Sequence, residues 1–325
     1  MTDARVEIVT EPVPSAPPRS QWADVWDQFR THRGALWGMA VFALILMLIL
    51  VGPFVYWNDP KFVPTGRDFL TLRDTRPIYV ALWEADAKVN WAYPLGTDNI
   101  GRDTLARLLY GGRVSIAVGL AAMVLSVVLG TLIGVLAGYF RAMDGVLMRL
   151  TDLFLALPLL PLLLVAVLLF RDPLANIFGP EGGTFILIVT LVGITSWMQT
   201  ARIVRGDILA LKEREFVLAA RSIGTKPSKM ITRHLLPNVM SPIMVSATLG
   251  IATAIITESA LSFLGFGFPP DFPTWGKLLF DAVDRMELYP ERVVWPGLMI
   301  SLTVLSVNYI GDGLRDALDP RIRGR

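Results

Sequence analysis

Cysteine is absent from the 325 residues, and histidine occurs only twice, at His32 and His234. A disulfide framework, a cysteine-ligated metal and a thiol nucleophile are therefore excluded, and two distant histidines make no multi-histidine metal site by themselves. Charge is scarce too. Asp, Glu, Lys and Arg make up 18% of the chain, the net charge is +2 and the mean hydropathy is +0.53. Soluble domains carry roughly 25% charged residues, and so small a net charge makes no case for nucleic acid. No Gly-x4-Gly-Lys-Ser/Thr run occurs, so the chain has no loop of its own to cradle ATP phosphates, and no cofactor or catalytic residue is expected in it. The period-two alternation of a membrane β-barrel is missing as well.

What the chain does have is six uncharged windows, 35–57, 114–140, 153–170, 182–201, 235–257 and 293–311. About 20 apolar residues cross a bilayer as helix, and in lipid the backbone must satisfy itself. The expectation is an all-α polytopic membrane protein with six transmembrane helices. Lys and Arg number 18 in segments 1–34, 141–152, 202–234 and 312–325, against 12 in 58–113, 171–181 and 258–292. The positive-inside bias then places both termini in the cytoplasm. The organisation expected is a cytoplasmic tail over 1–34, a first span over 35–57, an extracytoplasmic loop over 58–113, a core of five spans over 114–312 with a cytoplasmic loop at 202–234, and a cytoplasmic tail over 313–325.

Several local signals refine this plan. The Pro-rich run in 1–20 predicts disorder. Trp22, Val25, Trp26 and Phe29 make an apolar helical face that fits a helix along the membrane surface, or the start of a longer first helix. In the 58–113 segment, Thr97 or Asp98 is placed to cap a helix running through Leu105, Leu108 and Leu109. Asp98, Asn99 and Asp103 are too few and wrongly spaced for a calcium loop. Ala122, Ser126, Gly130, Gly134 and Gly138 recur every four residues and predict close helix packing. Pro158 and Pro161 predict a bend or a local opening in the third span. Glu258 is the one carboxylate deep in an apolar run, and it reads either as a polar group at an outer gate or as a paired or capping carboxylate.

The stretch from Arg214 to Asn238 stands apart. It is polar and basic between two apolar windows. Phe216, Ala219, Ala220 and Ile223 fall on one helical face, behind Glu215. Gly224 stands where a helix end wants positive φ, and Pro227 suits the first turn of a second helix running from Thr225 to Leu236, ahead of Pro237. Small residues on an amphipathic stub inside a membrane protein's loop predict a docking knob for a soluble subunit.

Over residues 22–325 the chain resembles the inner-membrane permease subunits of bacterial peptide ATP-binding-cassette importers, the second permease of the dipeptide, oligopeptide and nickel group. The resemblance rests on Leu95-Gly96-Thr97-Asp98 with Gly101-Arg102-Asp103, and on Asp152-Leu153-Phe154-Leu155-Ala156-Leu157-Pro158. It also rests on Leu218-Ala219-Ala220 with Gly224 and His234-Leu235-Leu236-Pro237-Asn238, and on Leu261-Ser262-Phe263-Leu264-Gly265 with Pro269-Pro270, Pro273 and Trp275-Gly276. It implies the architecture of a type I importer permease in the bacterial inner membrane. It also implies a sister permease completing the pathway and two cytoplasmic ATPases that bind ATP and magnesium. An extracytoplasmic substrate-binding protein would serve the outer loops. Coupling to the ATPases would then run through Glu215, Phe216, Ala219, Ala220, Gly224, His234 and Pro237. The family pattern has Glu where Leu218 stands, which puts a salt bridge from that position in doubt but not docking by shape. A secondary transporter remains an alternative, as does the same importer class carrying nickel chelates, opines or sugar conjugates. A membrane-embedded enzyme would need a cluster of ionisable groups that the spans do not supply.

Overall fold

A computed structural model describes residues 21–318, so the expectation of disorder over 1–20 lies outside the described residues. Helices dominate: among the described residues no strand forms, only two isolated bridges at Arg76–Val89 and Thr97–Asp103. The chain runs through α1 (Gln21–Thr31), α2 (Arg33–Val55), α3 (Gly66–Leu72), a 3₁₀ turn at Ile78–Leu82, α4 (Thr104–Tyr139), α5 (Arg141–Ala156), α6 (Leu159–Ile194), α7 (Trp197–Lys212) and α8 (Glu215–Ser222). After α8 come α9 (Pro227–Lys229), a π turn at Met230–Leu235, a 3₁₀ turn at Leu236–Val239, α10 (Met240–Phe263), α11 (Trp275–Val283) and α12 (Glu291–Leu318).

Among the described residues, five helical stretches are long and apolar enough to cross a membrane: Arg33–Val55, Thr104–Tyr139, Leu159–Lys212, Pro227–Phe263 and Glu291–Leu318. The third runs 54 residues, about 80 Å at 1.5 Å per residue, far beyond a hydrocarbon core of about 30 Å. It is two crossings. Gly179 sits at φ 78°, ψ 163° inside it, directly before Pro180, and that pair turns the chain back. The six expected crossings are thus present, with the third and fourth joined through Gly179.

Four details refine the sequence reading. First, α1 is a separate helix. His32 ends it and caps α2, its Nδ1 accepting from the Ala35 N–H at 2.9 Å. Val25 and Phe29 are buried against Ala35 and Ala317, while Trp26 is 49% exposed. Second, the 153–170 window opens where its prolines predict, at Leu157–Pro158: α5 ends at Ala156, Leu157 is extended and α6 starts at Leu159. Pro158 is the N-cap of α6 and Pro161 lies in its first turn, where a missing N–H costs nothing; the residues ahead of them form the amphipathic α5. Third, Asp103, not Thr97 or Asp98, caps α4, its Oδ1 accepting from Leu105 and Ala106 N–H at 2.9 and 3.1 Å. Asp98 is already spent on the Ile100 and Arg102 amides and the Arg102 guanidinium, and Thr97 is buried against Thr75. Fourth, the last crossing extends to Leu318 rather than 311.

The segment expected to turn tightly does so. Gly96 and Gly101 take φ of 72° and 83°, and a Cβ on Gly96 would collide with the Thr75 carbonyl. Ion pairs tie this segment to the helices that follow. Arg292 donates to Asp74 at 3.0 Å and to the Thr97 carbonyl at 2.7 Å, and Arg102 and Arg107 both reach Asp281. One end of the bundle is therefore a cross-braced cap, and the 214–238 segment lies at the other.

Candidate functional site

Helix α8 is eight residues long, too short to hold itself in water. Its register is fixed by what it buries. Val217 and Ala220, three apart, sink into a cluster with Val135 of α4, Val204 and Ile208 of α7, and Met230, Leu235, Val239 and Ile243 of the helix that follows. The opposite face stays open: Phe216 and Leu218 are each 44% exposed and Ile223 is 84% exposed, with Ala219 beside them. The face predicted from spacing therefore divides. Ala220 belongs to the chain's own core, which corrects its assignment to the docking surface, while Phe216, Ala219 and Ile223 project outward. Val217, the anchor, was missed because a valine between Phe216 and Leu218 carries no distinguishing pattern.

The end of α8 is a Schellman motif. Thr225 N–H bonds the Ala220 carbonyl at 3.2 Å and Gly224 N–H bonds that of Arg221 at 3.0 Å. Gly224 takes φ 77°, as expected, and no side chain crowds it. Glu215 is exposed in the first turn, where a carboxylate suits the helix dipole. The second helix has Lys226, not Thr225, as its N-cap, and it does not stop before Pro237. It widens to a π turn over Met230–Leu235, tightens to 3₁₀ across Pro237 and continues into α10. Proline lacks the N–H and crowds the carbonyl four residues back; the change of winding absorbs both defects. His234 lies half-buried in the π turn, its carbonyl accepting from Asn238 at 2.7 Å, and Pro237 is exposed.

The small-residue stripe meets α7. A Cβ on Gly130 would lie 2.7 Å from the Trp197 carbonyl, one on Gly134 2.7 Å from that of Ala201, and one on Gly138 2.7 Å from Ile208 Cβ. Ser126 is buried one turn earlier. The packing is thus within the chain. Further bonds lock α7 to its neighbours. Lys212 Nζ donates to the Gly138 and Tyr139 carbonyls at 3.2 and 3.0 Å, at the α4 C-terminus where a cation suits the dipole. Arg205 grips Asp144 of α5 bidentately at 2.5 and 2.7 Å, and this hydrogen bonding holds the Asp144 carboxyl below the usual aspartate range. The α8 knob is thereby joined rigidly to α4, α7 and α10.

Glu258 lies at the opposite end of α10 and is fully buried. Its oxygens accept from Ser262 at 2.7 Å, Ser115 at 3.1 Å and Ser259 at 3.5 Å. These bonds run from hydroxyl to carboxylate. Ser115 Oγ already accepts from the Trp275 N–H, and Thr274 Oγ1 from the Lys277 N–H. Each hydroxyl has one proton left to give. Ser115 gives its proton to Glu258; Thr274 passes its own to Ser262, which donates to Glu258. Two amides in the first turn of α11 are thus relayed to one carboxyl, which is a capping arrangement carried by hydroxyls.

At membrane depth lies a cavity of about 270 Å³ between α4, the α5–α6 junction, the α6–α7 junction and α10. No local pattern marks it, because four separate segments form its wall.

Comparison with known proteins follows this geometry. A family model described as the binding-protein-dependent transport system inner membrane component matches residues 126–324, and one described as the N-terminal TM domain of oligopeptide transport permease C matches 20–72. The oligopeptide transport system permease protein OppC of Bacillus subtilis is 35% identical over 305 residues, covering 94% of this chain and 91% of its own. The di/tripeptide transport system permease protein DppC of Pseudomonas aeruginosa is 37% identical over 305 residues, 92% of each chain. The glutathione transport system permease protein GsiD of Escherichia coli O6:K15:H31 is 36% identical over 307 residues, 94% and 92%.

Proposed function

The chain belongs to the family of inner-membrane components of binding-protein-dependent transport systems, and from that premise we propose that it is the permease subunit through which an ATP-driven importer moves peptides. The peptide class is taken from the relatives, whose names specify oligopeptides, di- and tripeptides and glutathione. A sister permease completes the pathway. Two cytoplasmic ATPases hold ATP and magnesium, and an extracytoplasmic binding protein delivers solute to the cross-braced cap. Both termini and α8 face the cytoplasm.

The observation that carries the reading is the build of α8. A short helix with Phe216, Ala219 and Ile223 outward is keyed by Val217 and Ala220 into the base of three long helices. A groove on an ATPase that grips the outer face moves those helices as one piece. Glu215 and Gly224 flank the face, Gly224 by ending the helix and Glu215 by favouring its first turn. His234 and Pro237 lie on the turn that joins the knob to α10. Ala219→Asp places an unpaired charge at the contact while touching nothing in the chain's own core. Co-purification of the ATPase with Ala219→Asp is expected to fall about tenfold or more, since a desolvated unpaired charge costs upwards of roughly 2 kcal/mol. Unchanged co-purification would exclude docking at this face. Ala220→Asp is no substitute, because it destabilises the permease itself.

A further inference from the structure

The fourth crossing is interrupted. Helix α6 ends at Ile194, Thr195 and Ser196 form a turn, and α7 begins at Trp197. Within the apolar window 182–201 the break lies 13 residues past Gly182 and six before Arg202, about 20 Å and 9 Å along the helix. Broken backbone within an apolar window is tolerated only where protein or a water-filled cavity meets it. Here the 270 Å³ cavity does so, and Ser196, the N-cap of α7, makes no side-chain capping bond.

The cavity wall carries polar groups with nothing to bond. Ser126 and Thr200 are 4% and 5% exposed, and both line the cavity. Neither hydroxyl has a hydrogen bond among the described residues, and the side chains of Gln199 and Ser246, also on the wall, have none either. The rest of the lining is largely apolar, with Phe154, Met198 and several leucines. No lining residue is Asp, Glu, Lys, Arg or His. Uncommitted hydroxyls and an amide, beside the positive end of a half-helix and on an uncharged apolar wall, suit a solute that presents amide N–H and C=O groups. They offer nothing to a particular side-chain charge.

Resting on the permease reading, we infer that this cavity is the point at which the translocating peptide's backbone is held. Ser126, Ser196, Gln199, Thr200 and Ser246 bond its amide groups, and the uncharged wall makes passage indifferent to the charge of its side chains. A fixed charge at the wall then converts an indifferent path into a selective one.

The absence of cysteine makes the test direct. Ser196→Cys is assembled with its partner subunits in proteoliposomes and treated with methanethiosulfonates bearing either a sulfonate or a trimethylammonium group. Uptake of Glu-Glu and of Lys-Lys is then measured, with the wild-type importer treated in parallel. The sulfonate is expected to depress Glu-Glu uptake relative to Lys-Lys by about tenfold or more, and the trimethylammonium to reverse the ratio, as charges within several ångströms in a low dielectric require. Equal inhibition of both dipeptides by both reagents, or no inhibition, overturns the inference. Ser246→Cys, on the α10 wall, carries the same expectation if Ser196→Cys fails to assemble. Should the untreated wild type move neither dipeptide, the peptide-permease reading falls and takes this inference with it. If it moves both and the ratio does not shift, only this inference falls.

Discussion

Gly134 shows how little room single residues leave in this bundle. Its Cβ would lie 2.7 Å from the Ala201 carbonyl and 2.8 Å from Val204 Cβ, so any side chain forces α4 and α7 apart. Overpacking typically costs about 1–3 kcal/mol, and here both neighbours are anchored in helix. Gly134→Leu is expected to reduce the yield of monodisperse protein severalfold, whereas Leu132→Ala, at a position 54% exposed, is expected to leave it unchanged. Equal yields on size-exclusion chromatography would contradict the packing argument. Glu258 teaches the converse, that a buried polar group is held by a complete set of partners. Glu258→Gln sets amide protons against hydroxyls whose own protons are already directed inward. It is expected to lower thermal stability in detergent, at a cost of about 1–3 kcal/mol for an unmade buried hydrogen bond. An unchanged melting temperature would mean that the relay to α11 carries no weight.

Among the elements, α5 and α7 carry a pH signature. Arg205 hydrogen-bonds Asp144 and lowers its pKa. A carboxyl depressed on folding stabilises the folded state above its ordinary pKa of about 3.9, and loses that contribution as pH falls through the lower folded value. Acidification below about pH 4 is therefore expected to loosen α5 from α7, and Asp144→Asn to flatten that part of the profile. Hydrogen exchange of α5 amides against pH measures it; an Asp144→Asn profile matching the wild type would refute the assignment. The same two helices show where pattern reading failed. The 141–152 segment was expected as a loop because its charges interrupt the apolar windows, yet those charges lie on one face of an amphipathic helix and one of them grips Arg205.

For the whole molecule the decisive question is which end faces inward. The cysteine-free chain again allows a clean measurement. In cells expressing the chain without ATPase subunits, so that α8 is uncovered, Ala219→Cys is expected to react with an impermeant maleimide only after permeabilisation, and Ala92→Cys, exposed in the cap, to react in intact cells. Labelling of Ala219→Cys in intact cells would invert the topology and end the coupling account. Both positions are read as facing water, so a difference between them reports sidedness rather than burial.

Hydropathy alone determined the number of crossings and the all-helical class, because lipid leaves the backbone no other way to satisfy itself. Local rules likewise settled the glycine at the end of α8 and the small-residue face of α4, since both depend on contacts within a few turns. Only tertiary structure decided which side of α8 is free. Val217 and Ala220 are indistinguishable from their neighbours until α4, α7 and the turn after Met230 converge on them. It alone also placed the partner of the α4 stripe, the hydroxyl relay to Glu258 and the cavity at the α6–α7 break. Each of these joins segments tens to more than a hundred residues apart, and no periodicity along the chain encodes which distant surface will fill a given gap.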